Sequence, residues 1–168
     1  MNGLPGAGKT ILARMLSRAL GATVFSKDAI KEAVADALDL RVVSSGALGS
    51  AAMELVWTLA SHARGTVVVE SWWYRPRDRE HARAGIAKVG AQRVVELWCD
   101  VPAELARTRY EGRHRHRIYA DLDRLASSWQ KWAENAVPLE LCPVLRVDTA
   151  RPVETSAVVT ALHARGVV

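Results

Sequence analysis

Cysteine is scarce in this chain, and long apolar runs are missing. Two of the 168 residues are cysteines, Cys99 and Cys142, and because they lack metal-ligand spacing we interpret both as reduced structural thiols. No apolar run approaches the about 18 residues of a membrane helix, and the first residues leave no room for a signal peptide. We therefore expect a cytoplasmic protein with no membrane partner.

Low-complexity tracts and internal repeats are also missing. With 49% hydrophobic and 24% charged residues, the composition is that of an ordinary folded protein. Residues 1–168 are most simply one domain with its own core. The net charge is +5, but the arginines cluster at 75–79 and 107–117, which suits a compact polyanion such as ATP at least as well as a long duplex.

The strongest motif is GLPGAGKT, near the start of the chain. It matches G-x-x-x-x-G-K-[ST] at every required position. Glycines let successive N–H groups converge on a phosphate, Lys9 adds a charge for the β- and γ-phosphates, and the Thr10 hydroxyl can bind Mg²⁺. The predicted nucleotide-binding loop consists of Gly3, Leu4, Pro5, Gly6, Ala7, Gly8, Lys9 and Thr10.

Apolar runs and turn residues predict strands that alternate with helices. Strands are expected at 23–25, 66–69, 93–99 and 144–147. Helices are expected at 11–20, 27–38, 51–64, 78–89, from 102 onward, 121–136 and 153–165, with Gly46 and Gly49 in a loop before the third. This alternation predicts an α/β fold with a parallel sheet and right-handed crossovers.

One expected strand is missing from this pattern. A phosphate loop normally follows a buried strand, yet only Met1 and Asn2 precede Gly3. Either the protein begins further upstream or the sheet is rebuilt around the loss. We favour an upstream start, because a loop without its strand loses the rigid support that its geometry needs.

Two carboxylates follow predicted strands, at the edge where open α/β sheets bind ligands. Asp28 could orient an attacking hydroxyl or hold a Mg²⁺-bound water, although an acidic residue also favours any helix N-terminus. Glu70 ends the run VVVE, which looks like a Walker B strand end, and a solvated strand end is the alternative. Thr10, Asp28 and Glu70 are therefore the candidate metal site, and the two carboxylates also face the predicted acceptor.

Arginines are dense over residues 107–117. They could neutralise the charge that spreads over a transferred phosphoryl group, carried on a mobile lid at about 107–120; a solvated helix face is the alternative. His114 and His116 lie in this segment, but they lack a metal-site context, and we do not assign them as ligands.

The aromatic and basic segment SWWYRPRDR follows Glu70 directly. Its aromatic rings could wall an acceptor pocket whose arginines engage an acidic substrate, or they could pack between the sheet and its helices. Trp73 and Arg75 are the acceptor-binding candidates. The remaining tryptophans recur at helical spacing, which is more typical of a core: Trp57, Trp129 and Trp132.

Six stretches carry a family resemblance in the same order along nearly the whole chain. They are GLPGAGKT, SKDAIKEA, VVVES, VVELWCDVPAELARTRYEGR, RHRHR and VDTARPVE. Together they resemble the small P-loop kinases of the chloramphenicol phosphotransferase and zeta-toxin type, often labelled AAA-family ATPases. The resemblance implies a three-layer P-loop fold with a sheet of order 2-3-1-4-5, in which the missing strand is the central first one.

The same resemblance implies functional positions. Asp28 falls where the family keeps its catalytic acid. The implied lid residues are Arg109, Arg113 and Arg117. The loop with Thr149 and Pro152 would lie near the adenine.

These motifs favour an ATP-dependent, Mg²⁺-requiring kinase that phosphorylates a hydroxyl of a small molecule. The expected catalytic residues are Lys9, Asp28, Arg113 and Arg117. The chain is too short for the second helical domain of a ring-forming motor, and no N-K-x-D element selects guanine. Two alternatives stay open: a kinase that acts on a polynucleotide end or tRNA, and an ATP-binding module without catalysis. The sequence does not indicate an oligomeric state.

Overall fold

The computed structural model describes residues 1–39, 41, 43–113, 116–119 and 121–168. The strands in these ranges are β1 (Thr23–Ser26), β2 (Val67–Glu70), β3 (Glu96–Asp100) and β4 (Val144–Asp148). The helices are α1 (Lys9–Leu20), α2 (Lys27–Asp36), α3 (Ser45–His62), α4 (Arg75–Val89), α5 (Ala103–Glu111), α6 (Asp121–Glu134) and α7 (Thr155–His163). The predicted α/β class is confirmed.

The described strands form two parallel pairs. β1 pairs with β2, so that Ser26 lies opposite Glu70, and β3 pairs with β4, so that Asp100 lies opposite Asp148. All four strands therefore end in polar residues, which the parallel register brings to the same level within each pair. The sequence predicts a single sheet, whereas the described residues form two sheets of two strands.

The first two residues of the chain lie between these pairs. The N–H of Asn2 donates to the carbonyl of Leu97 at 2.8 Å, and the Asn2 carbonyl accepts from the N–H of Cys99 at 2.8 Å. On the other side, the terminal ammonium of Met1 donates to the carbonyl of Val69 at 2.7 Å. Backbone hydrogen bonds from this dipeptide thus connect β2 to β3, directly before the phosphate loop.

Helix α3 begins six residues earlier than the sequence pattern predicts. The side chain of Ser44 accepts from the N–H of Ala47 at 3.2 Å, which caps the helix and satisfies one of its first amides. Gly46 and Gly49 consequently lie inside α3, and the prediction of a loop there was wrong. The first turns of α3 contain serine and glycine around one buried leucine, Leu48, so they show no repeated apolar spacing from which a helix could be predicted.

Helix α4 also begins early, at Arg75 instead of Asp78. Pro76 lies in its first turn, where a helix tolerates proline because that N–H has no intrahelical partner. The carboxylate of Asp78 accepts from the N–H of Tyr74 at 2.8 Å and fixes the start of the helix. Strand β3, in contrast, is shorter than predicted and begins at Glu96.

Two apolar clusters hold the elements together. The first lies between α1, β3, β4 and α7 and includes the fully buried Leu12 and Leu16, together with Leu4 and Ala7 of the phosphate loop. The second packs α3 and α4 against β2. Trp57 and Trp129 are buried and Trp132 is half-buried, as the core interpretation predicts. Across the described part of the chain, no helix is long and apolar enough to cross a membrane.

Candidate functional site

The loop of residues 3–10 turns directly into α1. Gly6 and Gly8 both have φ of 84°, a left-handed conformation that side chains rarely adopt, and a Cβ at Gly6 would overlap the carbonyl of Ala106 on α5. Because α1 begins at Lys9, its first N–H groups have no intrahelical partner and its positive end faces the loop. Loop and helix together form an anion site.

The side chain of Lys9 is buried within this loop, with 8% of its surface exposed. Its ammonium Nζ donates to the carbonyl of Gly3 at 2.9 Å and to the carbonyl of Leu4 at 2.8 Å. The lysine side chain therefore folds back onto its own loop. A bound phosphate would compete with these two carbonyl oxygens for the same ammonium.

Several charged groups act on the Lys9 ammonium. Burial lowers the pKa of Lys9, while the negative charges of Glu70 and Asp28 oppose that shift and the positive charge of Arg113 adds to it. Both predicted carboxylates and one predicted lid arginine, Arg113, line the same cavity as the loop lysine.

Glu70 joins the strand ends to the phosphate loop. It is buried, with 5% exposed, and its carboxylate accepts from the Ser26 hydroxyl at 2.6 Å and from the Thr10 hydroxyl at 3.4 Å. Ser26 is its partner across the β1–β2 register. The prediction of a solvated strand end therefore does not describe this residue, which instead puts a buried carboxylate beside the metal-binding candidate Thr10.

Asp28 stands in the first turn of α2, after Ser26 has capped that helix. The Ser26 hydroxyl accepts from the N–H of Ala29 at 3.4 Å and so fixes where the helix begins. Asp28 is half-buried and lines a cavity of 1610 Å³ that also contains Lys9 and Thr10. The cavity is large enough for a nucleotide together with an acceptor.

Arg109 holds the loop that the resemblance assigns to the adenine. Its guanidinium donates to the carbonyl of Thr149 at 2.8 Å and to the carbonyl of Ala150 at 3.0 Å. Pro152 continues this loop, and all four residues line the cavity. The side chain of Arg109 therefore positions this loop by binding the loop's backbone carbonyls.

The other predicted lid arginines differ from each other. Helix α5 ends at Glu111, and Arg113 beyond it is exposed and lines the cavity. Arg117 is exposed and is not part of the cavity wall that the described residues form. Residues 114, 115 and 120 of the predicted lid lie outside the described residues, so the expectation that His114 is not a metal ligand is not tested. The Nε2 of His116 forms a hydrogen bond with the carboxylate of Asp36 at 2.9 Å.

The two acceptor-binding candidates after Glu70 point in different directions. Trp73 is buried against Trp57, with ring centroids 5.5 Å apart, and also forms part of the cavity wall. Arg75 forms an ion pair with Glu140 at 3.0 Å and does not belong to the wall formed by the described residues. The structure thus brings Trp73 into the site and directs Arg75 away from it.

Sequence reasoning missed the role of Asn2. Its side-chain oxygen accepts from the N–H of Gly3 at 2.7 Å and from the N–H of Trp73 at 3.0 Å. Its amide nitrogen donates to the buried carboxylate of Glu96 at 2.8 Å. The residue thus ties the phosphate loop to the segment after β2 and to β3, and the only signal in the sequence was its position before the loop.

The oxygen donors of this site fit a magnesium ion that is bound partly by the nucleotide and water, and they do not form a metal site made of protein ligands alone. Within the described ranges, no group of three or more His, Cys, Asp and Glu residues could hold a metal ion. Mg²⁺ usually takes one or two carboxylates and completes its shell with substrate phosphates and water. The hydroxyl of Thr10 and the carboxylate of Glu70 put two oxygen donors 3.4 Å apart beside the phosphate loop, as such a site would need.

A phosphate-binding loop at the head of a helix, packed between parallel strands of an α/β fold, defines a P-loop nucleotide-binding protein. Sequence comparison identifies the family: residues 1–139 match the AAA domain family, and the chain belongs to it. Among curated proteins, no sequence matches this chain.

Solved structures share the fold over nearly the whole chain. A candidate kinase from Chloroflexus aurantiacus J-10-fl superposes with a TM-score of 0.69 at 24% identity, covering 98% of this chain and 96% of that one. A sugar kinase from Janibacter sp. HTCC2649 has a TM-score of 0.59 at 19% identity, covering 98% and 90%. At these identities the likeness concerns the fold.

Proposed function

We propose that this chain is an ATP-dependent, Mg²⁺-requiring kinase that phosphorylates a hydroxyl group of a small molecule. One observation carries the proposal: residues of the phosphate loop and Asp28, in the first turn of α2, line the same cavity. The loop alone accounts for nucleotide binding, whereas a carboxylate facing it adds the group that an acceptor hydroxyl needs. The kinases that share the fold support this choice.

The nucleotide side of the cavity would hold ATP through the loop. Lys9 exchanges its bonds to two loop carbonyls for the β- and γ-phosphates, and the loop amides surround the same oxygens. Thr10 and Glu70, with Asp28 through water, would hold Mg²⁺, which supplies neutralising charge when bound. The loop of Thr149 and Pro152 would then lie beside the adenine.

The transfer step follows from the positions of the side chains. The acceptor oxygen attacks the γ-phosphorus, the bond from that phosphorus to the β–γ bridging oxygen breaks, and ADP leaves. Asp28 accepts the hydroxyl proton, because its carboxylate faces the same cavity as the loop. Arg113 neutralises charge on the transferred group, and Arg117 joins it only if the predicted lid closes.

We also propose one sheet of order 2-3-1-4-5, counted with the missing strand as the first. In that numbering β1, β2, β3 and β4 are strands 2, 3, 4 and 5, and Met1 with Asn2 takes the position of the central strand 1. The support for this order is the hydrogen bonding of Asn2 to β3 and of Met1 to β2. Residues 1–168 then form one domain, and a lid at 107–120 stays a prediction.

The first experiment measures ADP and ATP binding to the purified protein by calorimetry. Lys9→Ala should weaken binding at least about tenfold, because a charged ligand to the phosphates is lost. The exposed Lys131→Ala serves as the matched control and should bind normally. Equal affinity of the Lys9→Ala protein would contradict the assignment of the nucleotide site.

The second experiment measures ATP consumption with hydroxyl-bearing metabolites, antibiotics, nucleosides and RNA ends. Asp28→Asn should keep ATP affinity and lose about 100-fold or more in turnover, the usual contribution of a positioned general base. Glu80→Gln, an exposed carboxylate on α4, is the control. Undiminished transfer by Asp28→Asn would exclude the base role, and turnover with RNA ends that falls steeply with salt would favour the nucleic-acid alternative.

A further inference from the structure

The cavity has a second wall, formed by α3 and α4 on the side away from the nucleotide loop of Thr149 and Pro152. Its residues include Ser50, Met53 and Glu54 on α3 and Arg77 and His81 on α4. Within each helix these residues are three or four positions apart, so each helix turns one face toward the cavity. This wall has room to contact an acceptor, and its chemistry indicates which kind.

The floor of this wall is apolar and fixed in position. Met53 and Trp73 are buried, with 4% and 6% exposed, and both belong to the second apolar cluster while also lining the cavity. The indole of Trp73 packs against Trp57, with ring centroids 5.5 Å apart. A rigid indole edged by a thioether suits the C–H face of a ligand.

The rim above this floor is polar. The carboxylate of Glu54 lies 3.8 Å from Nδ1 of His81 and 3.9 Å from Nζ of Lys88, both beyond hydrogen-bond distance. Lys88 donates instead to the Thr58 hydroxyl at 2.8 Å. Among the residues that the structure describes, none forms a hydrogen bond to the Glu54 carboxylate. Carboxylate and imidazole together can accept from and donate to neighbouring hydroxyl groups of a ligand.

The charges of this wall are balanced. Arg77 donates to the carboxylate of Asp78 through two nitrogens, at 2.6 and 2.8 Å. A cationic ligand at the rim would lie close to Lys88, and an anionic ligand would lie close to Glu54. Desolvating a charge without a partner is costly, so the wall favours a ligand that is polar and uncharged.

The spacing along α3 indicates the size of the ligand. A Cβ built on Gly49 would lie 3.8 Å from Nζ of Lys27, the residue before Asp28, so α3 meets the start of α2 at this point. Glu54 is five positions further along the helix, about 7.5 Å at 1.5 Å per residue. A single sugar ring with its hydroxyl groups spans a distance of this order.

We infer that the acceptor is an uncharged polyol of the sugar or cyclitol class. Its C–H face lies on Met53 and Trp73, neighbouring hydroxyls bind Glu54 and His81, and another hydroxyl reaches Asp28. This inference rests on the proposed kinase function and adds the substrate class. Glu54 and His81 are then residues that determine acceptor specificity.

The experiment uses the full chain saturated with ADP and Mg²⁺, so that the nucleotide site is already filled. D-Glucose, D-ribose and myo-inositol are titrated by calorimetry, because polyols raise the thermal stability of any folded protein through exclusion from its surface. D-Glucosamine adds a positive charge, D-gluconate adds a negative one, and cyclohexanol offers an apolar ring with one hydroxyl. At least one of the three polyols should bind saturably and more tightly than these three analogues.

Two variants test the location of the site. Glu54→Ala should weaken polyol binding at least about tenfold, because hydrogen bonds to a carboxylate are lost, and His81→Ala should weaken it about threefold to tenfold. The matched control is Glu80→Ala, which removes an exposed carboxylate on α4 that bonds Arg83 and lies outside the cavity wall formed by the described residues. This variant should bind the polyol normally, and all three variants should bind ADP like the native protein.

Three results would overturn the inference: no saturable binding of any of the three polyols, tighter binding of D-glucosamine or D-gluconate, or equal polyol binding by the native and Glu54→Ala proteins. The last result is the one expected if Glu54 and His81 are only a solvated surface pair. A polyol that binds saturably while ATP is never consumed would contradict the proposed kinase function and still support the polyol site. Failure to bind ADP would also contradict the kinase function, and the same titrations without nucleotide would then test the polyol site.

Discussion

The Asn2 side chain offers a direct test of how the phosphate loop is supported. Replacing Asn2 by leucine keeps a similar volume and removes three hydrogen bonds, to Gly3, Trp73 and Glu96. Asn2 is fully buried, with 0% exposed, so water cannot replace the lost partners. The substitution therefore leaves two buried amides and one buried carboxylate short of a partner.

The expected loss follows from those bonds. Two bonds to neutral amides contribute about 0.5–1.5 kcal/mol each, and the bond to the Glu96 carboxylate contributes about 1.5–3 kcal/mol. Burial of the leucine side chain returns about 1–2 kcal/mol. The free energy of unfolding should fall by about 3 kcal/mol, the middle of the range of about 0.5–5 kcal/mol that these contributions allow, and a large part of the 5–15 kcal/mol typical of a domain.

Urea unfolding followed by circular dichroism measures this change. Asn135→Leu is the matched control: its amide donates to the carbonyl of Lys131 at an exposed position, and the change should stay within about 0.5 kcal/mol. Because Asn2 also fixes Gly3, Asn2→Leu should weaken ADP binding as well. An unchanged free energy of unfolding, at an unchanged urea slope, would refute the view that the Asn2 side chain supports the loop.

Three further outcomes are expected. Arg109→Lys should weaken ADP binding about threefold to tenfold, measured by calorimetry beside the exposed Arg165→Lys, because Arg109 bonds the two loop carbonyls through two separate nitrogens of a rigid guanidinium, which a single flexible ammonium does not reproduce. Unchanged affinity would show that ADP binding does not depend on these two bonds. Burial raises the pKa of the Cys99 thiol from 9.0 to about 11, so the folded protein keeps the thiol proton longer than the unfolded chain. The stability advantage over Cys99→Ala should be constant below pH 9 and fall by about 2–3 kcal/mol up to pH 11 in urea titrations, and a flat difference would contradict this. A cavity of 870 Å³ is lined by residues of β2 and β3; five valines added before Met1 should pair with both strands and raise the free energy of unfolding by about 2 kcal/mol or more, whereas five serines should not.

The phosphate loop could be identified from the sequence because its chemistry is local. Glycines at fixed spacing before Lys9 and Thr10 determine both the backbone path and the ligand. The α/β class followed from alternating apolar runs for the same reason, since each run carries its own periodicity. Asp28 and Glu70 could be proposed as site residues because both follow predicted strands.

Only the tertiary structure decided which of these residues meet, since this depends on contacts between distant parts of the chain. Glu70 contacts Thr10 across 60 positions, and Arg109 bonds Thr149 across 40, and no local pattern encodes either separation. Arg75 pairs with Glu140 instead of facing the cavity. The start of α3 was missed because a capping serine, and no apolar pattern, determines it.

The support of the phosphate loop shows the same division. The sequence by itself determined that a nucleotide-binding loop follows two residues, neither of which matches a motif. The tertiary structure decided that Asn2 joins that loop to β3 and to the segment after β2, because a buried amide side chain can satisfy three partners that local sequence leaves far apart.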